Sequence, residues 1–352
     1  MTGKIPISRI RLFRIDERAL SFADKVGVSP LTALLLRMRG LSGDGIDEAR
    51  TWLRPGLSDS LASVSLGPGA RDAALLWQKM KGARRVVIYG DYDVDGASAT
   101  ALAMEMALES FREVRYFIPH RHREGYGVHE KVVRALAESG CDLLVTVDCG
   151  TRDISALRAA RDAGIPVIIF DHHTPGESLP EGAIVVNPHI GGDDEARTLC
   201  AAGVLWVWAM TEGVMHPDWL EGRSDLAALA TLADHVPLGR LNRGLVRRGM
   251  DVIRLSGRRG LRRLLDETGV QAADVDEEAI VMKIIPCLNA AGRLGLADIA
   301  VDVLIGGEGL EKNVRELVSL NRKRQSISAE ILEKILPEIS GGESLVLSDL
   351  SW

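Results

Sequence analysis

The chain has 352 residues, 46% hydrophobic and 26% charged, enough for about two domains that each bury a core. Its 43 Lys+Arg against 49 Asp+Glu give a net charge of −6, which excludes an overall basic protein and leaves any nucleic-acid contact to local clusters. No apolar run approaches the roughly 18 residues of a membrane span, the N-terminus lacks a secretory apolar stretch, and four dispersed cysteines without a CxxC pair argue against structural zinc, so a reducing, cytoplasmic location with no membrane contact is expected.

Residues 1–80 read as a helical region. SPLTALLLRMRG offers Ser29 as a cap with Pro30 at the first helical position, and ARTWLRPGL stops at Pro55. From residue 84 apolar strands alternate with helical stretches: RRVVIYG, a helix over 97–111, VRYFIP, a helix near 129–139, CDLLVTVD, a helix over 153–163, PVIIFD and AIVVNP. This pattern predicts an α/β fold with a parallel sheet buried on both faces, whose ligands bind at the carboxyl ends of the strands. Helices dominate afterwards. Trp206 and Trp208 lie among small apolar residues and read as core; residues 309–339 form a long charged helical stretch before Pro337; SLVLSDLSW at 344–352 begins another strand. Between residues 240 and 263 nine arginines (240, 243, 247, 248, 254, 258, 259, 262 and 263) face one acid, Asp251. They either track a phosphate backbone or decorate two solvated helices, and the sequence weighs these evenly.

VVIYGDYDVDG at 86–96 sets Asp91, Asp93 and Asp95 at alternate positions after a strand. Carboxylates so close repel and raise each other's pKa unless cations or strong donors are near, so a divalent metal is the first expectation. An EF-hand is excluded because a strand precedes the acids and the twelfth position is Leu102. The alternative is a polar loop capping the next helix. Two further strand ends bear on that choice: Asp148 follows LLVTV, and Asp171-His172-His173 follows VIIF; Asp234-His235 then closes an apolar helical run. Oxygen and imidazole donors in this mixture suit Mn²⁺, with Mg²⁺ also accommodated, and suffice for two ions sharing a carboxylate. Two such ions serve attack on a phosphoryl centre, with arginines holding the phosphates.

GDYDVDG, VTVDCG, FDHH and ADHVPL, in this order and spacing, resemble the four motifs of the DHH phosphoesterase superfamily. IPHRHREGYG at 118–127, CLNAAGRLG at 287–295, LLRMRG and TWLRPGL resemble its single-strand-specific exonucleases, and the likeness extends over about residues 30–350. It implies Asp93, Asp95, Asp148, His172 and Asp234 as metal ligands, Asp148 as their bridge and Asp91 as a further ligand. His173 would lie beside the bridging water or scissile phosphate, with Asp171 supporting the histidine pair. Arg121, Asn289 and Arg293 would face substrate phosphate. His120, His122 and His129 read as surface residues, and His235 replaces an apolar residue expected after Asp234.

The resemblance further implies a 5′→3′ exonuclease that releases 5′-mononucleotides from single-stranded DNA in repair and recombination, working beside a single-strand-binding protein and a helicase. The expected organisation is a helical region at 1–80, a catalytic α/β domain at 81–240, a helical part with NAAGR at 241–308, a linker helix at 309–340 and the truncated start of another domain at 341–352. The chain thus reads as a catalytic-core portion. Two alternatives remain at this point: a phosphodiesterase for short oligonucleotides or cyclic dinucleotides, and a non-catalytic DNA-binding scaffold.

Overall fold

Five short runs rich in Val, Ile and Leu pair into one parallel sheet: β1 (Arg85–Tyr89), β2 (Glu113–Phe117), β3 (Leu143–Val147), β4 (Val167–Phe170) and β5 (Ala183–Val186), in the order β2-β1-β3-β4-β5. The structure is a computed structural model and describes residues 13–41, 45–255, 257–271 and 274–336, so the strand expected at 344–352 and the segment 341–352 lie outside the described residues. Every residue of β3 and β4 is buried, which explains why these strands read as continuous apolar runs rather than alternating ones. The chain steps from β1 out to β2 and then returns to the opposite side of β1 for β3. That reversal places a crevice beyond the carboxyl ends of β1 and β3, where this class of sheet binds its ligands.

Five helices precede the sheet: α1 (Glu17–Val26), α2 (Pro30–Met38), α3 (Ile46–Leu53), α4 (Leu57–Ser63) and α5 (Gly69–Lys79). The first three enclose a small core of their own around Phe22, Leu36 and Leu41. Ser29 caps α2 as the sequence predicts, its hydroxyl accepting from the Thr32 N–H at 3.1 Å, with Pro30 in the first turn. After β1 comes α6 (Val94–Leu108), which starts three residues earlier than the apolar pattern indicates because the Asp93 carboxylate accepts from the Gly96 N–H and caps it.

The faces of the sheet are covered by α7 (Glu130–Glu138) and α8 (Ile154–Asp162) on one side and by α6 with later helices on the other. These later helices are α9 (Ala201–Thr211), α10 (Pro217–Glu221), α11 (Ser224–Ala233), α12 (Arg240–Arg254), α13 (Arg259–Glu267), the single turn α14 (Glu277–Ala279), α15 (Ile285–Arg293), α16 (Ala297–Ile305) and α17 (Leu310–Ile335). Trp206 and Trp208 are fully buried, and their indole N–H groups donate to the Leu220 and Ala70 carbonyls, so both are core residues as expected. A π-helical turn at Ile280–Ile284 joins α14 to α15 immediately before Pro286, whose missing N–H cannot continue a regular ladder.

Candidate metal and phosphate site

Three neighbouring strands deliver the acids and histidines to one rim. Asp91 and Asp93 follow β1, Asp148 follows β3, and Asp171, His172 and His173 follow β4; α11 ends at Asp234 and brings it to the same place. Donor atoms of Asp148, His172 and His173 lie within 4.8 Å of one another, as do those of Asp95, His172 and Asp234, and those of Asp91, Asp93 and Asp148. His172 is the hub on one side, with Nε2 at 3.4 Å from Asp148 Oδ1, 3.7 Å from Asp95 Oδ2 and 3.8 Å from Asp234 Oδ2. Asp148 is the one carboxylate that belongs to two of the three groups.

Backbone geometry holds these side chains in place. Asp148 has a left-handed conformation at φ 61°, and its N–H donates to the Phe170 carbonyl, tying the end of β3 to the end of β4. His235 is the other non-glycine residue with positive φ among the described residues, at 55°; it turns the chain sharply just after Asp234. Asp95 spends both oxygens on the start of α9, accepting from the N–H groups of Ala201 at 2.7 Å and Ala202 at 2.9 Å. A buried carboxylate at a helix N-terminus is a favourable arrangement.

Asp171 does not line the cleft; it supports the histidine pair from beneath. One oxygen accepts from the His172 and His173 N–H groups and lies 2.8 Å from His173 Nδ1, while the other accepts from Thr151 N–H. Burial opposes its charge, but the bonds and positive charge of His173 hold its pKa down to about 2, and the same contact raises that of His173. Asp171 therefore acts through His173 and orients it. Tyr126, which enters the sequence reading only within the segment IPHRHREGYG, places its hydroxyl 3.0 Å from His173 Nδ1 and donates to the Asp148 carbonyl at 3.1 Å.

The electrostatics of the cluster ask for a cation. Burial first, then the neighbouring Asp93, pushes Asp91 up to about 7; burial and Asp93 push Asp95 up to about 6 despite the opposing pull of His172. Burial and the surrounding aspartates drive Asp148 well above the carboxylate range, and burial raises Asp234. Asp91 Oδ1 and Asp148 Oδ1 are buried and have no hydrogen-bond partner. Buried acceptors are almost always satisfied, so these two mark positions where a ligand belongs. Hard oxygen donors with one or two imidazoles match divalent first-row ions or Mg²⁺.

The same cleft carries the phosphate candidates. Arg121, Asn289 and Arg293 line the same cleft of about 330 Å³ as Asp91, Asp93, Asp148, His172, His173 and Asp234. The Arg121 guanidinium carbon lies 5.1 Å from the centre of the Tyr92 ring, within cation–π range. α15 approaches the aspartate loop so closely that a Cβ on Gly292 would lie 2.0 Å from the Tyr92 carbonyl oxygen. The arginine run at 240–263 behaves otherwise. Arg248 pairs with Glu221, Arg258 with Asp225 and Glu105, Arg263 with Glu311, and Arg240 with Glu195, while Arg243 and Arg254 donate to the Trp52 and Val275 carbonyls. Most of the run thus fastens helices together.

A family model described as "DHH family, N-terminal domain" matches residues 85–233. The single-stranded-DNA-specific exonuclease RecJ of Bacillus subtilis is 32% identical over 325 residues, covering 91% of this chain and 41% of the relative. The crystal structure of RecJ from Thermus thermophilus in complex with Mn²⁺ superposes with a TM-score of 0.74 at 32% identity, over 93% of this chain and 47% of that one. Its Mg²⁺ complex gives 0.62 at 28% identity, over 93% and 44%. A structure of exonuclease RecJ bound to manganese gives 0.67 at 36% identity, covering 78% of this chain and 72% of the other. The chain spans somewhat under half the length of the curated RecJ relatives.

Proposed function

Because the chain belongs to the DHH family, on the branch that holds the RecJ exonucleases, we propose that it is a metal-dependent 5′→3′ exonuclease that hydrolyses single-stranded DNA to 5′-mononucleotides. One observation supports this most directly: Asp91 and Asp148, each with an unsatisfied buried oxygen, line one cleft together with Arg121, Asn289 and Arg293. Asp91, Asp93, Asp95, Asp148, His172 and Asp234 would hold two Mn²⁺ or Mg²⁺ ions, with Asp148 shared between them. When bound, such ions lower the pKa of a coordinated water and neutralise charge on the attacked phosphate.

The protein's own groups complete the reaction. Arg121 and Arg293 receive phosphate oxygens bidentately and Asn289 adds a neutral donor. With Nδ1 held by Asp171, His173 leaves Nε2 to meet the substrate. When protonated it would donate a hydrogen bond to the phosphoryl group or a proton to the departing oxygen. Water adds to phosphorus, the bond to the 3′ oxygen of the terminal nucleotide breaks, and that oxygen takes up a proton.

Residues 81–240 make the catalytic domain in this reading, with Asn289 and Arg293 supplied from 241–308. In this reading a helicase that opens duplexes and a single-strand-binding protein that keeps them open are the expected partners, and the cytoplasm is the expected location. The four cysteines are free, and no single helix among the described residues is long and apolar enough to cross a membrane. The test is Asp148→Ala, which abolishes Mn²⁺-dependent degradation of 5′-phosphorylated single strands; unchanged degradation would refute the assignment. Comparing wild-type rates on a dinucleotide and on a long strand separates it from the short-oligonucleotide phosphodiesterase: a preference for the dinucleotide favours the latter.

A further inference from the structure

We propose that His122 is a positioning residue that latches the loop carrying Arg121 onto the last turn of α15, fixing the spacing of Arg121 and Arg293 around a backbone phosphate; the inference rests on the nuclease reading. His122 and Arg293 are 171 residues apart in sequence, yet His122 Nε2 lies 2.9 Å from the Arg293 carbonyl oxygen. A carbonyl only accepts, so Nε2 carries the hydrogen and donates it.

The loop itself is a closed turn. The His120 carbonyl accepts from the N–H groups of Arg123, Glu124 and Gly125, and the His120 N–H donates to Glu124 Oε2 at 2.9 Å. The His122 N–H donates to His120 Nδ1 at 3.2 Å, which fixes that ring as well. The other nitrogen of His120 faces the residue just beyond α15: a Cβ on Gly295 would lie 2.2 Å from His120 Nε2, and Gly295 itself sits at φ 77°. Loop and helix end therefore meet with no room for a side chain between them, and Arg121 is held between two anchored histidines.

One exposed hydrogen bond contributes little to the stability of a protein this size. Its effect falls on binding. A phosphate that must gather two guanidiniums from separate segments loses affinity when one segment has first to be ordered. Removing the latch should act on substrate capture and leave the acids and His173 in place.

The experiment uses a 5′-phosphorylated oligothymidylate. With Mn²⁺, His122→Ala raises KM about tenfold while kcat stays within about threefold and the melting midpoint within about 2 °C. Fluorescence anisotropy on an Asp148→Asn background, where the strand survives, shows the same loss of affinity on adding His122→Ala. His122→Gln, whose amide keeps an N–H donor for the Arg293 carbonyl, recovers most of it. An unchanged KM and affinity in His122→Ala, a fall in kcat at constant KM, or a His122→Gln variant as weak as His122→Ala would overturn the latch. If the wild type bound the strand without hydrolysing it and His122→Ala still lost affinity, the nuclease reading would fail and the latch would stand.

Discussion

Asp148 concentrates the tension of the site in one residue: buried, in a left-handed backbone conformation, and with an oxygen that nothing in the protein satisfies. Asparagine tolerates that conformation and carries no charge. Asp148→Asn should therefore fold, melt about 2–4 °C above the wild type in EDTA, and lose the stabilisation that Mn²⁺ gives the wild type. Thermal melts with and without metal check this, and a variant that melts lower in EDTA would count against a strained, cation-seeking carboxylate. Tyr126→Phe keeps the ring and removes the hydroxyl that bonds the Asp148 carbonyl and His173. Loss of such a supporting contact should lower kcat by about 10-fold with Mn²⁺ affinity nearly unchanged. At this scale the acids were legible because their spacing after strands is itself an electrostatic oddity. The Tyr126 contact was not, since a tyrosine between two glycines reads equally well as a turn. The donors to Asp95 were also hidden: they are backbone groups of Ala201 and Ala202, more than a hundred positions downstream, and backbone groups carry no sequence signature.

Among elements, α15 is the piece that closes the cleft, and Gly292 is what lets it approach. In Gly292→Ala the new methyl would meet the Tyr92 carbonyl, a backbone atom that cannot swing aside. Either the helix or the Asp91–Asp95 loop must shift, so the variant should lose at least about tenfold in Mn²⁺ affinity, the cost of displacing groups that support a metal site, as titration calorimetry would show. The helices behind the site are joined by an ion cluster in which Arg258 bonds Asp225, Glu105 and the Leu304 carbonyl, bridging α11, α6 and α16. Asp225 is 1% exposed, so Arg258→Ala strands a buried charge and should cost about 3–5 kcal/mol in urea unfolding. The arginine run that contains Arg258 shows where sequence reading stops: counting cations is easy, but their carboxylate partners at 105, 195, 221, 225 and 311 lie on other elements, and only the fold pairs them. Strand positions and most helix bounds were legible from apolar runs and caps, because burial on both faces leaves a continuous signal.

Taken whole, the molecule is an acidic protein, and under the proposed function its binding of an acidic polymer would depend on a few groups at one cleft. With Arg121 and Arg293 as the two phosphate-neutralising cations, the slope of log K against log salt for a single strand should be about −1.4. A slope several times steeper would show that the arginine run binds backbone after all. The reversal of strand order at β1 and β3 explains why acids separated by more than fifty residues reach one rim; the sequence pointed to that rim through a parallel sheet whose strands end on the acids, but not to the strand order itself. The central proposal is a two-metal nuclease that works inward from a 5′ end. Its most direct test is product analysis on single strands labelled at one end or the other, with Mn²⁺ present. From a 5′-labelled strand the label should appear at once as mononucleotide, while a 3′-labelled strand should shorten progressively. Release of mononucleotide first from the 3′ label, or no metal-dependent release from either, would contradict it.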